Sequence, residues 1–340
     1  MKIIDMHCDT ISKLYEDREN GIHSCLRENS GHLDLARMKK SNYLLQNFAL
    51  FVDKEECSDS WEKLQKLYNI YISELDKNSD IIAPVLQFKD IAANEASGKM
   101  SAMLTVEEGA VSGGEAGRLE QMYKMGVRMI TLTWNYPNEL GYPNMNKNAL
   151  RDSPGEKEAF EDFFYTPECG RGLTEKGREF VYLMEELGII PDVSHLSDAG
   201  FYDMLECTRK PFAASHSNAR SVCRCVRNLS DDMIKKLADR GGITGLNFCT
   251  DFLKEPIAGA HNTGYMEAAA AHARHITNIG GIEVLGLGSD FDGIDTNEEL
   301  PGAGSMDRVW DIMKKSGYTE RELDKIFYKN VIRVYKDTLK

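Results

Sequence analysis

The chain has 340 residues, 42% of them hydrophobic, and a formal charge of −13. That length suits two average domains or one large α/β barrel, and the apolar fraction is enough for one large core. The acidic balance argues against nucleic acid as a partner, and no apolar run is long enough to span a bilayer.

The N-terminus lacks the basic, apolar and small-residue succession of a signal peptide. Ile3-Ile4 already reads as a strand, so a mature cytoplasmic chain starting here is expected. The eight cysteines form no C-x-x-C pair. Without an export signal they are expected to be free thiols.

Eight β-like runs can be marked in chain order, at 2–8, 44–51, 102–107, 127–134, 189–194, 211–215, 242–248 and 284–289. Helix-like stretches at 11–18, 60–75, 118–125, 174–187, 197–207, 230–240, 266–279 and 320–339 separate or follow them. Thr174 and Ser230 stand at N-cap positions with acidic residues close behind, and Gly188 and Gly241-Gly242 stop the helices before them. Pro191 costs the fifth strand one ladder hydrogen bond. The repeated strand–helix order predicts a parallel sheet, and eight such units predict closure into a (β/α)8 TIM barrel of the metal-dependent hydrolase type, one domain over residues 1–340. The connection 135–171 is too long for a turn. Standing after the fourth strand, it is read as a lid, a substrate wall or a subunit contact.

Five of the apolar runs end in a side chain able to hold a metal: His7 and Asp9, Glu107, His195, His216 and Asp290. Each alone has a plainer explanation. His-x-Asp is common as a surface turn, Glu107-Glu108 would serve as a helix cap, and a single core histidine is usually just hydrogen-bonded. Asp292-Gly293 suits a β-turn. Position shifts the balance, because strand ends on one rim are where barrel enzymes do their chemistry. Residues two apart on a strand face one side, so His7 and Asp9 can reach one ion while Cys8 faces away. Adjacent residues face opposite sides, so only one of Glu107 and Glu108 can face it. His195 and His216 each follow a serine at successive strand ends and can converge on a zinc-like ion. Asp290 is the expected proton acceptor beside an activated water, with Asp292 left to the turn.

The order His-x-Asp, Glu, His, His, Asp on strands one, three, five, six and eight resembles the renal (membrane) dipeptidases, peptidase family M19 of the amidohydrolase superfamily. Thr105-Val106-Glu107-Glu108-Gly109 is similar to the family's glutamate segment. Gly172-Leu173-Thr174 with Gly177, then Asp192-Val193-Ser194-His195, resembles its fifth βα unit. Ser215-His216-Ser217, Ser221-Val222-Cys223 and Arg227-Asn228 resemble its sixth segment, and Gly288-Ser289-Asp290-Phe291-Asp292-Gly293 its eighth. The resemblance implies two zinc ions, one held by His7, Asp9 and Glu107, the other by Glu107, His195 and His216, with Glu107 and a water or hydroxide bridging them. It implies a dipeptide substrate, a D-residue tolerated at its C-terminal position, and Arg227 forked onto its free carboxylate. It admits a homodimer. In one place the chain departs from the pattern: vertebrate members carry a histidine at the end of the fourth strand, where this chain has Trp134-Asn135, and both are expected to meet the substrate, Trp134 with its single N–H and Asn135 through its amide. Another amidohydrolase activity, on N-acyl amino acids or phosphoesters, is the alternative, and a non-catalytic barrel a more distant one.

Overall fold

The computed structural model describes residues 1–152, 156–255 and 263–340. Nine strands alternate with helices: β1 (Ile3–Asp5), β2 (Tyr43–Phe51), β3 (Ile82–Pro84), β4 (Met100–Glu107), β5 (Val127–Thr131), β6 (Ile190–Asp192), β7 (Ala213–Ala214), β8 (Ile243–Leu246) and β9 (Leu285–Leu287). They pair in the order β2-β1-β9-β8-β7-β6-β5-β4-β3, and β2 also pairs with β4. That last pairing closes eight parallel strands into the expected (β/α)8 barrel. β3 stands outside the ring, because β4 meets β3 through Met100–Ala102 and β5 through Leu104–Glu107 along the same edge.

Alternation along the longer strands sorts side chains between two apolar layers. Leu45, Met103, Met129, Ile190 and Ile243 point into the barrel, where Val331, Val334 and Tyr335 of the last helix pack against them. The Tyr335 hydroxyl donates to Asn47 Oδ1 of β2 at 2.9 Å, so this helix is tied to the lumen by a polar contact as well. Phe48, Leu50, Leu104, Val106 and Ile130 point outward under the helices. The inward series of β4 ends in Glu107, the last residue of the strand, and so delivers a carboxylate to the rim.

Thr174 and Ser230 cap their helices through bonds from Gly177 and Met233, and Gly188 ends the first of these in a left-handed conformation. Pro191 is harmless: Val193 N–H bonds to Ala213 O, so Pro191 faces β7 below the point where that strand begins. The predicted connection 135–171 contains two helices, Lys147–Asp152 and Glu156–Tyr165, while its residues 153–155 lie outside the described residues. The predicted helix 320–339 is three successive segments, the middle one a π-helical turn at Lys325–Lys329. All eight cysteines are free. Among the described residues no helix is long and apolar enough to cross a membrane.

Candidate metal centre

Just beyond the strand ends, the six predicted side chains meet. His7 Nε2 lies 3.2 Å from Asp9 Oδ2, 3.3 Å from Glu107 Oε2 and 3.8 Å from Asp290 Oδ1. On the other side, His195 Nε2 and His216 Nε2 lie 3.0 and 3.7 Å from Glu107 Oε1, and 3.1 Å from each other. One carboxylate thus presents each of its oxygens to a different group of ligands. All six residues are buried.

Local backbone explains how short strands achieve this. β1 ends at Asp5, so the same-face argument for His7 and Asp9 is not what joins them. Asp9 instead stands at the N-cap of the helix Thr10–Glu19, where its side chain caps nothing and turns toward His7. Cys8 does face away, toward Asn47 O. His195 and Asp290 take left-handed backbone conformations, at φ of 71° and 66°, which are costly for non-glycine residues and turn each side chain inward at its strand end. Glu108, also left-handed at φ 88°, turns the other way and accepts from the N–H groups of Ala110 and Trp134. Gly293 passes so close that a Cβ there would sit 2.2 Å from Asp9 Oδ2 and 2.8 Å from Asp290 Oδ1.

Electrostatics of the cluster point to a cation. Burial pushes Glu107 up to about 7, against the pull of His7, and raises Asp290 as well. Burial likewise drives His195 and His216 well below the ordinary imidazole range, reinforced at His195 by Arg227 and at His216 by His7. Burial works the same way on His7, but Glu107 and Asp9 outweigh it and raise its affinity for a proton. Asp9 Oδ1 is buried with no partner. Carboxylates crowded together out of water, and imidazoles whose lone pairs converge, are what divalent ions balance. The donor set of nitrogen and carboxylate oxygen suits zinc, and two groups, His7–Glu107–His216 and His7–Asp9–Asp290, each bring their ligand atoms within 4.8 Å of one another.

Outer contacts orient these ligands. His195 Nδ1 donates to Asn135 Oδ1 at 2.9 Å, leaving Nε2 free for a metal. His216 Nδ1 meets Ser215 Oγ at 2.7 Å, and Ser215 Oγ in turn donates to Asp192. Asn247 Nδ2 donates to Asp290 Oδ2 at 2.8 Å. Asp292 accepts from Thr10 Oγ1 and the His32 N–H. Asp5 holds Ser289 by backbone and hydroxyl, and Asp192 does the same for Ser215. The sequence reading missed both, yet each is a carboxylate inside an apolar run, which needs partners close by.

Asn135 therefore differs from its expected part: its oxygen serves His195 rather than the substrate. Asn135→Ala is expected to lower metal affinity about 10- to 100-fold, checked by competition with a chromogenic chelator. Trp134 lines the cavity in front of the ligands, edge-on to Phe51 at 4.9 Å, with the Lys147 ammonium 4.1 Å from its ring centre. That cavity has a volume of about 410 Å³. Arg227 is not on its surface. It lies behind Phe252, whose ring centre is 5.4 Å from the guanidinium, and donates to Ser217 Oγ and His216 O. No carboxylate pairs with it among the described residues, and its Nε has no partner.

The whole chain, residues 1–340, matches the family model described as membrane dipeptidase, peptidase family M19. It is 32% identical over 240 residues to an uncharacterized Klebsiella pneumoniae protein of the pqqA 5′ region, covering 70% of this chain and 83% of that protein. It is 29% identical over 336 residues to an uncharacterized dipeptidase of Schizosaccharomyces pombe, covering 95% of this chain and 74% of the other. Two solved structures share its fold at a TM-score of 0.87 and 24% identity. One is a family M19 metallo-peptidase, dipeptidase AC, covering 100% of this chain and 99% of its own. The other is a Rhodobacter sphaeroides metallo-peptidase liganded with a phosphinate mimic of L-Ala-D-Ala, with 99% of each chain covered. The chain belongs to peptidase family M19 and is a metallo-dipeptidase of that family.

Proposed function

We propose that this dipeptidase works with two zinc ions, one among His7, Asp9 and Glu107 and the other among Glu107, His195 and His216, and that it accepts a D-residue at the C-terminal position. The observation that carries this reading is Glu107, whose Oε2 faces His7 while its Oε1 faces His195 and His216. When bound, the ions supply a water acidic enough to attack near neutral pH and positive charge for the oxyanion at the scissile carbonyl. Everything else falls to the chain's own groups. Asp290 Oδ2 is occupied by Asn247, so Oδ1, which faces His7, takes the proton of the attacking water and returns it to the leaving amine. Arg227, a buried cation with no carboxylate at ion-pair distance among the described residues, draws the free carboxylate of the substrate toward Phe252. Trp134 forms part of the cavity wall, in place of the histidine that the resemblance gives to vertebrate members. The L-Ala-D-Ala mimic on the Rhodobacter protein supports a D-residue at the second position. Eight free thiols suit a reducing, cytoplasmic compartment.

The test is amino-acid release from L-Ala-L-Ala, L-Ala-D-Ala and the C-terminal amide of each, using metal-stripped and zinc-reconstituted protein. Zinc-dependent release from both acids, with kcat/KM at least about 100-fold lower on the amides, is expected. Arg227→Ala should bring acid and amide to similar values. Equal loss on acid and amide would remove Arg227 from carboxylate binding. Turnover of an N-acyl amino acid or a phosphoester alone would move the activity elsewhere within the superfamily.

A further inference from the structure

We propose that a second chamber opening off the metal cavity receives a long basic side chain on the N-terminal residue of the dipeptide, and that Ser12 and Glu16 select it; this rests on the dipeptidase reading above. The chamber holds about 310 Å³ and shares Ser12, Glu16 and Phe51 with the metal cavity. Ser12 and Glu16 stand one turn apart on the helix Thr10–Glu19, hence on one face. Ser12 is the independent sign of a ligand. It is only 8% exposed, it lines both spaces, and its Oγ is buried with no hydrogen-bond partner. Buried hydroxyls are rarely left so.

The sign of the charge follows from what is already paired. Among the chamber's acids, Asp59 caps the next helix, Glu62 pairs with Lys66 at 2.9 Å, and Asp53 lies 3.6 Å from Lys147. The exposed carboxylates of Glu16 and Glu56 make no hydrogen bond or close ion pair among the described residues, although the charge of Glu16 acts on the Lys63 ammonium. Of the two lysines lining the chamber, Lys66 is thus taken, and the Lys63 ammonium sits 3.4 Å from the centre of the Tyr15 ring. On the metal side, Asp251 and Asp295 also line the cavity unpaired among the described residues, while Lys13 is bound to Asp17. A space with free carboxylates and an orphan hydroxyl accepts a donor-only group, the ammonium of lysine or the guanidinium of arginine.

Topology says which residue of the dipeptide carries it. Arg227 follows β7, and Phe51 ends β2. In the ring β1-β2-β4-β5-β6-β7-β8-β9 these strands are diametrically opposite. A dipeptide with its carboxylate toward Arg227 therefore points its N-terminal residue toward the chamber.

The test compares Lys-Ala, norleucyl-Ala, Glu-Ala, Ala-Lys and Ala-Ala on the zinc-loaded enzyme and on its Ser12→Ala and Glu16→Gln variants. Norleucine keeps the length of lysine without its charge. Lys-Ala is expected to exceed norleucyl-Ala about tenfold in kcat/KM, a gap that narrows with added salt. In Glu16→Gln the ratio should fall to within about twofold, with Ser12→Ala in between. Equal values for Lys-Ala and norleucyl-Ala, or a preference that survives both substitutions, would overturn the chamber's role while Ala-Ala turnover left the dipeptidase reading standing. A preference for Ala-Lys instead would overturn the N-terminal assignment. Hydrolysis of none of the five would overturn both readings.

Discussion

Glu107→Gln is expected to lose metal and turnover together, with kcat/KM down about 10³-fold or more, roughly 4 kcal/mol of transition-state stabilisation. Glutamine keeps the volume but offers one weak oxygen acceptor in place of two charged ones. It can serve His195 and His216 or the His7 side, but not both, whereas Glu107 Oε1 and Oε2 now face the two groups separately. Metal content by mass spectrometry and turnover of Ala-Ala, measured on one sample, check this. Full activity with both metals retained would refute the bridging role.

The same substitution has a stability signature of the opposite sign. In the metal-free protein burial holds the Glu107 carboxyl up at about 7, above its ordinary 4.5. A carboxylate raised on folding contributes stability that is full below its unfolded value and lost as pH rises through the folded one. Metal-free wild type should therefore lose ground against metal-free Glu107→Gln between about pH 4.5 and 7. With metal added, the order reverses, because the ions bind the folded wild type more tightly. Thermal melts of both proteins over that range, with and without zinc, read the crossing directly. Parallel melts at every pH would show that Glu107 is not the strained carboxylate it looks to be.

Strand ends carried most of what the sequence could say. β2 and β4 were legible to within a residue or two, because strands buried on both faces read as unbroken apolar runs. β6 and β7 came out much shorter than their apolar runs, since the chain leaves the ladder early to form the turns that hold His195 and His216. The first of those turns rests on a left-handed His195 and both rest on Asp192, neither of which has a periodicity to detect. β3 escaped notice for a related reason: Ile82-Ala83-Pro84 is three residues long and pairs along one side only. The six side chains converge despite these differences because their meeting depends on residue type near a strand end, not on how the strand ends. The contact of Asn135 with His195 was not legible, as it joins residues 60 apart through a loop.

Asp290→Asn should slow turnover about 10²- to 10⁴-fold while leaving the metals bound. Asparagine tolerates the left-handed backbone at this position as aspartate does, so the φ of 66° is kept. Its oxygen can still accept from Asn247, preserving the contact that orients the group. What it cannot do is take a proton at the atom facing His7, where Asp290 Oδ1 stands 3.8 Å from Nε2. The loss should therefore fall on kcat with little change in KM, since asparagine keeps the size of the Asp290 side chain and so the shape of the cavity it lines. Asn247→Ala offers the complementary case: Asp290 keeps its chemistry but loses its tether, so kcat should fall less, by about tenfold. Steady-state kinetics with metal analysis on both variants separates proton transfer from positioning. A rate unaffected by Asp290→Asn would exclude it as the proton carrier and leave that task to a group facing the cavity from the Glu107 side.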